Sequence, residues 1–254
     1  MSKSLSSDLP KSLAVGSMAG LLAGLFGIGG GFIMSPLFVL WLKLNQKKAN
    51  ASSLLAVVFI SAAALAGYIS ADQVSWPAAL LVTTGAVLGM FFGVRIFQRV
   101  SAQALTYLFA CLLILVAARL LWSTTPHQLF TGVSGQVVLV VIGILSGALA
   151  GLLGIGGGIV IVPALIICSG VLPEVARGSS LVAICVSALI GTFLHNRNNQ
   201  VDWQIAIPAG ISGIPSGLLG VYLSLNISEQ ILIPMFCLLL TALSMQLFFT
   251  NRVR

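Results

Sequence analysis

Long uncharged apolar stretches alternate with short polar connections along the whole chain. The first, residues 13–44, is broken near its middle by Gly27-Ile28-Gly29-Gly30-Gly31, with Pro36 a few residues on. Three unbroken stretches follow, at about 51–70, 76–97 and 103–122. A polar segment at 123–135, carrying Pro126, separates these from a second series. That series opens with residues 137–168, broken by Gly154-Ile155-Gly156-Gly157-Gly158 and followed by Pro163, and continues at about 178–196, 203–224 and 230–249. About 20 apolar residues suffice to cross a hydrocarbon core of about 30 Å as a helix. In lipid a spanning segment must satisfy its own backbone, which leaves helices as the natural reading.

The two series are copies. Gly27 and Gly154 lie 127 residues apart (154 − 27), as do Pro36 and Pro163. In the same ungapped register Gly16, Gly20 and Gly24 align with Gly143, Gly147 and Gly151, and Gln73-Val74-Ser75-Trp76 aligns with Gln200-Val201-Asp202-Trp203. Internal duplication is a hallmark of transporter folds. The predicted organisation is a first repeat at 1–122 with its broken segment at 13–44, a linker at 123–135, and a second repeat at 136–254 with its broken segment at 137–168. Each repeat carries three further spans.

Counting Lys and Arg decides how the broken segments sit. If each crosses the membrane once, the twelve cations divide six and six, which specifies no orientation. If each enters and returns as a hairpin, ten fall on the side of the termini, and only Arg119 and Arg177 fall on the other. That bias predicts helical hairpins, inverted halves and cytoplasmic termini. Length agrees: from residue 13 to the break is about 15 residues, or about 22 Å of helix, short for a full span. The fold class expected is therefore an all-α polytopic membrane protein of two inverted repeats, each a Gly-broken helical hairpin plus three transmembrane helices.

Composition sharpens this. The chain is 58% hydrophobic and 7% charged, too little charge to cover a soluble domain of this size. A net charge of +7 would suggest nucleic acid in a soluble protein. Here the cations flank apolar spans and anchor topology, so no nucleic acid is expected. Cys111, Cys168, Cys185 and Cys237 all lie inside apolar runs without metal-ligand or disulfide spacing, and no metal or cofactor is expected. Lys3 and Lys11 before an apolar run resemble a signal peptide, but that run belongs to the repeat.

The chemistry centres on the breaks. Successive glycines cost about 1 kcal/mol each inside a helix, so a plain membrane helix gains nothing by carrying them twice. Gly27, Gly29, Gly30, Gly31, Gly154, Gly156, Gly157 and Gly158 permit positive φ and close approach of backbone. Pro36 and Pro163 are then expected in the first turn of the returning arms, with Ser35 as a cap for the first. Two helix N-termini entering from opposite faces would offer free N–H groups and partial positive charge near the midplane, an anion site without a buried cation. The competing reading is tight hairpin packing alone. Ser52, Ser53, Ser179 and Ser180, at span starts, either donate to the anion or cap helices. His195 ends a span and either contacts anion or proton or simply sits at the interface. Arg95 and Arg99 end another span as anchors or attractors of anions. The five acids, Asp8, Asp72, Glu174, Asp202 and Glu229, fall in tails or connections, which leaves no mid-span carboxylate for proton or sodium coupling.

The duplicated Gly-Ile-Gly-Gly-Gly stretch with its proline, the Ser52-Ser53 and Ser179-Ser180 pairs, and Val201-Asp202-Trp203 resemble the sulfite exporter TauE/SafE family of membrane proteins, over nearly the whole chain. The first half departs at Ser75, where the second has Asp202. The resemblance implies a secondary transporter of sulfite, sulfoacetate or a related sulfonate, working by alternating access in a bacterial inner membrane. The partners expected are the bilayer and a small anionic solute, with a homodimer allowed. An anion channel, or a carrier of another small anion, is the alternative. An embedded enzyme is not expected, since paired acids, a zinc motif and a placeable Ser–His pair are missing. Without a coupling site, export would run on membrane potential, which supplies about 2.3 kcal/mol per 100 mV for a monovalent anion.

Overall fold

The computed structural model describes residues 5–96, 132–153 and 157–252. The span expected at 103–122 and most of the linker, with Arg99, Cys111, Arg119 and His127, lie outside the described residues. Among the described residues the chain forms nine helices: α1 Leu5–Phe26, α2 Gly31–Trp41, α3 Gln46–Ser70, α4 Trp76–Ile96, α5 Gly132–Leu153, α6 Gly158–Ser169, α7 Pro173–Asn196, α8 Trp203–Asn226 and α9 Glu229–Arg252. Within α1, α3, α5, α7 and α8 lie segments long and apolar enough to cross a membrane.

Helix starts follow local chemistry rather than hydropathy. α3 begins five residues before the apolar run at 51, because the Asn45 side chain accepts from the Lys48 N–H at 2.8 Å and caps it. α7 begins equally early, because Pro173 occupies its first turn, where a missing N–H costs nothing. α5 begins at Gly132, so the end of the expected linker is helical.

The 127-residue offset holds in the backbone. α1 shifted by 127 coincides with α5, and the starts of α2, α3 and α4 map onto those of α6, α7 and α8. Gly30 has φ 74 and ψ −13, and Gly157 has φ 74 and ψ −12. The left-handed Lys43 and Asp72 map onto the left-handed Gly170 and Asn199.

Contacts fix the directions. Gly16, Gly20 and Gly24 of α1 lie against Ala209, Gly213 and Gly217 of α8, so these helices are parallel. Phe59 and Ile60 of α3 meet Gly210 and Gly213, while Tyr68 reaches Ser224, so α3 also runs with α8. α1 and α3 therefore point the same way, and the short α2 between them must run back. The first broken segment is a hairpin, and Lys11 Nζ closes its open end by donating to the Trp41 carbonyl at 3.3 Å. α3 and α7 run oppositely, since Tyr68 sits beside Gly178 and Leu54 beside Gly191. Equivalent helices are antiparallel, so the halves are inverted.

Each half clasps the other. α1 packs on α8, and its counterpart α5 packs on α4. Both seams are lined with small residues whose backbones touch: a side chain at Gly16 would overlap the Ala209 carbonyl, and one at Gly147 the Ala86 carbonyl. Lipid provides no hydrophobic drive between helices, so such close approach is what holds them. α3 and α7 contact each other and stand between the two seams.

Candidate anion site at the glycine breaks

α1 ends at Phe26, and the chain then turns through Gly27, Gly29 and Gly30, all left-handed, at φ 68, 80 and 74. A side chain at φ near +74 is strained, and a methyl at Gly30 would also lie 2.6 Å from the Ala19 carbonyl oxygen. Gly157 repeats this geometry against Ser146, the counterpart of Ala19, whose hydroxyl donates to the Gly157 carbonyl at 2.9 Å. Gly154 and Gly156 lie outside the described residues.

The two breaks meet. A Cβ at Gly158 would lie 2.7 Å from the Cα of Ile28 and 3.0 Å from the Gly27 carbonyl oxygen. A Cβ at Gly29 would lie 2.6 Å from Ile184 and 3.5 Å from Val57. Val57 and Ile184 are counterparts near the midpoints of α3 and α7, so the hairpin tips touch halfway along both. Gly27, Gly29, Gly30, Gly31, Gly157 and Gly158 are all buried.

Neither returning arm has a side-chain cap. In α2 the first helical bonds run from Ile33 and Met34 to the Gly30 carbonyl, and in α6 from Val160 and Ile161 to that of Gly157. The N–H groups of Gly31, Phe32, Gly158 and Ile159 come before those bonds, at the positive ends of their helices. The arrangement can stabilise a small anion with backbone donors from both halves.

Some expected details are corrected. Pro36 and Pro163 are the sixth residues of α2 and α6, beyond the first turn. There each removes the bond its N–H would have made, to the carbonyl of Phe32 or Ile159, one turn from the tip. Ser35 caps nothing: the glycines already start the helix, and the buried Ser35 hydroxyl donates to Asn50 Oδ1.

The serines divide into two roles. Ser52 Oγ accepts from the Asp202 N–H at 2.8 Å, and Ser179 Oγ accepts from the Ser75 N–H at 2.9 Å. Each thus holds the start of the other half's fourth helix. Ser180 donates to the Gly27 carbonyl at 2.6 Å and to the Arg177 carbonyl at 2.7 Å, sharing one proton and bracing the first break from behind. Ser53 donates to the Asn50 carbonyl at 2.8 Å. His195 Nε2 lies 3.3 Å from the Gly151 carbonyl and Nδ1 lies 2.8 Å from Gln200. Its counterpart Tyr68 donates to the Gly24 carbonyl at 2.9 Å. Both side chains thus hold the last turn before a break.

Sequence reasoning missed a charged group beside the first tip. Arg177, read as a sidedness charge, is 4% exposed. It donates to Ser224 and to Glu229 and, through Nε, to the Pro173 carbonyl at 3.2 Å. Its backbone lies against Gly27, whose Cβ would be 2.6 Å from the Arg177 Cα. The available signal was the alignment of Arg177 with Asn50 in a well-matched stretch of the repeat, a cation among small residues.

Comparison with known proteins agrees with this architecture. A family model described as sulfite exporter TauE/SafE matches residues 2–120 and 139–254. A probable membrane transporter protein of Xylella fastidiosa (strain 9a5c) is 33% identical over 224 residues, 86% of each chain. The probable membrane transporter protein YunE of Bacillus subtilis (strain 168) is 22% identical over 262 residues, covering 93% of this chain and 96% of its own. Sulfite exporter TauE/SafE family protein 3 of Arabidopsis thaliana is 33% identical over 87 residues, 34% of this chain and 18% of its own. No solved structure gave a significant match. With both halves matched and transporters among its full-length relatives, this chain belongs to the sulfite exporter TauE/SafE family of membrane proteins.

Proposed function

We propose that the chain is a secondary transporter that exports small sulfur-containing anions, such as sulfite, sulfoacetate or a related sulfonate, by alternating access. The observation that carries this is that the uncapped N-terminus of α6 touches the Gly27-Ile28 turn that leads into the uncapped N-terminus of α2, one from each inverted half, near the midpoints of α3 and α7. An anion seated there exchanges its water for peptide N–H groups and helix-end charge. The name of the family supports a sulfur oxyanion as the solute. The surplus of Lys and Arg on the side of the termini favours cytoplasmic termini in a bacterial inner membrane.

Purified protein in liposomes tests the reading. Saturable flux of sulfite and sulfoacetate, competed by one another and absent from empty vesicles, is the expected result. Failure to carry any small anion overturns the proposal, and flux that never saturates favours a channel instead.

A further inference from the structure

α9 is built differently from the helices beside it. Its 24 residues contain no glycine, and it forms no close backbone seam with another described helix. Such seams hold helices together in lipid, so α9 lacks the lock that joins α1 to α8 and α4 to α5. Pro234, its sixth residue, also removes the bond its N–H would have made to the Gln230 carbonyl, which lets the first turn bend away from the rest. Two of its contacts stand at the two ends of a cleft between α6 and α9. At the outer end Glu229, the first residue of α9, is ion-paired with the buried Arg177, while its own side chain is 32% exposed. The second Glu229 oxygen is buried and receives no hydrogen bond from a described donor, so the closure there is imperfect. Two turns deeper, Phe236 stacks on Phe26 with ring centroids 5.4 Å apart. Phe26 is the residue before the first break, and the Arg177 Cα would lie 2.6 Å from a Cβ at Gly27. Val162 and Ile166 of α6 line the cleft along its length. It therefore leads from the hairpin tips to the end of the bundle at which α6 finishes, opposite the end that Lys11 closes.

We propose that this cleft is the anion's path between the tips and the membrane face at which α6 ends, and that α9 is its gate, closed here by Phe236 on Phe26 within and by Glu229 on Arg177 at the mouth. The proposal rests on the anion-transport reading above and names the route to that site. Alternating access requires a central site to open toward one face while the other stays shut. A bend at Pro234 draws Glu229 away from Arg177 and wets the mouth. Arg177 keeps its bonds to Ser224 and to the Pro173 carbonyl when Glu229 leaves, and entering water solvates the freed ends. Rotation of Phe236 off Phe26 then uncovers the Gly27 turn. Neither movement breaks a glycine seam, because α9 takes part in none among the described helices. The inverted scaffold can thus stay packed while this one wall opens.

Leu232 lines the cleft between the two closures and is 1% exposed, so the reactivity of a cysteine there tests the gate. The full chain, with Cys111, Cys168, Cys185 and Cys237 replaced by alanine, is placed in liposomes and treated with the impermeant anion 2-sulfonatoethyl methanethiosulfonate. Leu232→Cys is expected to react from the face opposite Lys11, and about tenfold faster when Glu229→Gln weakens the mouth. The attached group is expected to stop sulfoacetate flux. Leu240→Cys, buried on α9 one turn beyond Phe236, stays unreactive with and without Glu229→Gln. Where Glu229→Gln alone does not fold, Arg177→Met with Glu229→Gln removes the pair without stranding a charge and gives the same comparison. A Leu232→Cys that never reacts, reacts from the Lys11 face, gains no speed over Leu240→Cys, or still carries sulfoacetate once labelled overturns the gate and leaves anion transport standing. A parent protein that carries neither sulfite nor sulfoacetate overturns both.

Discussion

Alanine at position 158 separates contact between the tips from backbone strain. Gly158 is the first residue of α6 and its φ is not left-handed, so its backbone accepts alanine. By helix propensity alone the change stabilises α6 by up to about 1 kcal/mol. The tip contact opposes it. The new methyl would lie 2.5 Å from Ile184 Cδ1, 2.7 Å from Ile28 Cα and 3.0 Å from the Gly27 carbonyl oxygen. Ile184 can turn aside, but the main chain at Ile28 moves only if the tips part. Carbon atoms settle at about 3.5–4.0 Å, so the parting needed is about 1 Å. Overpacking of this kind costs about 1–3 kcal/mol, and a net loss of up to about 2 kcal/mol remains after the gain in propensity. For a chain of this length that is a fall of up to about 8 °C in Tm. Melting of G158A in detergent, in parent and I184A backgrounds, measures it. I184A frees only the flexible neighbour, so the loss persists there. A G158A protein that melts at or above its parent refutes the contact between breaks, and the anion site with it.

The helix seams give a matched pair. Gly147→Ala, whose methyl overlaps the Ala86 carbonyl, destabilises by about 1–3 kcal/mol, whereas Gly217→Ala, with its nearest neighbour at 3.6 Å, is neutral or stabilising; equal Tm values would refute the seam geometry. Ser52→Ala and Ser179→Ala each strand one partly buried N–H, at Asp202 or Ser75, and each costs about 1–3 kcal/mol in denaturation; a pair differing severalfold would deny their equivalence. Single cysteines placed at Lys11 and at Lys43 react with an impermeant thiol reagent from the same side of the membrane, because the hairpin returns; labelling from opposite sides rejects it.

The fold was legible where energy forced it into the sequence. Consecutive glycines are too costly in a plain helix to appear twice without use, and the tally of cations separated hairpin from through-span. Finer features depend on partners far along the chain. Hydropathy placed the start of α7 at the first apolar residue, which put Arg177 at the membrane surface. Pro173 starts the helix earlier, so Arg177 lies one turn inside it and finds Glu229, 52 positions away. The prolines were placed one turn too early because a missing N–H is harmless only there, but the glycines had already supplied the turn. Residue type left the serines divided between substrate and capping. Only their neighbours show Ser52 and Ser179 holding backbone across the halves, and Ser180 holding the Gly27 carbonyl.

The halves share a scaffold and differ in what fills it. Exchange of conformation between inverted repeats interconverts the two faces of a transporter. If the repeats were chemically identical, the inward- and outward-facing states would have equal energy apart from the membrane field. The scaffold terms here are matched: Ser52 with Ser179, Tyr68 with His195, Gly30 with Gly157. The polar filling is not. Asn50 accepts from Ser35 in the returning arm and from Gln46 at 2.9 Å, which ties the first half's α2 to α3 through neutral bonds. Arg177 instead reaches, through Ser224 and Tyr68, the end of the entering arm α1. A ligand shifts a conformational equilibrium only by as much as it binds one state better than the other. The Arg177–Glu229 ion pair is a contact that only the second half can form, since Asn50 and Ala102 hold the matching positions of the first, so it is a term in which the two halves differ.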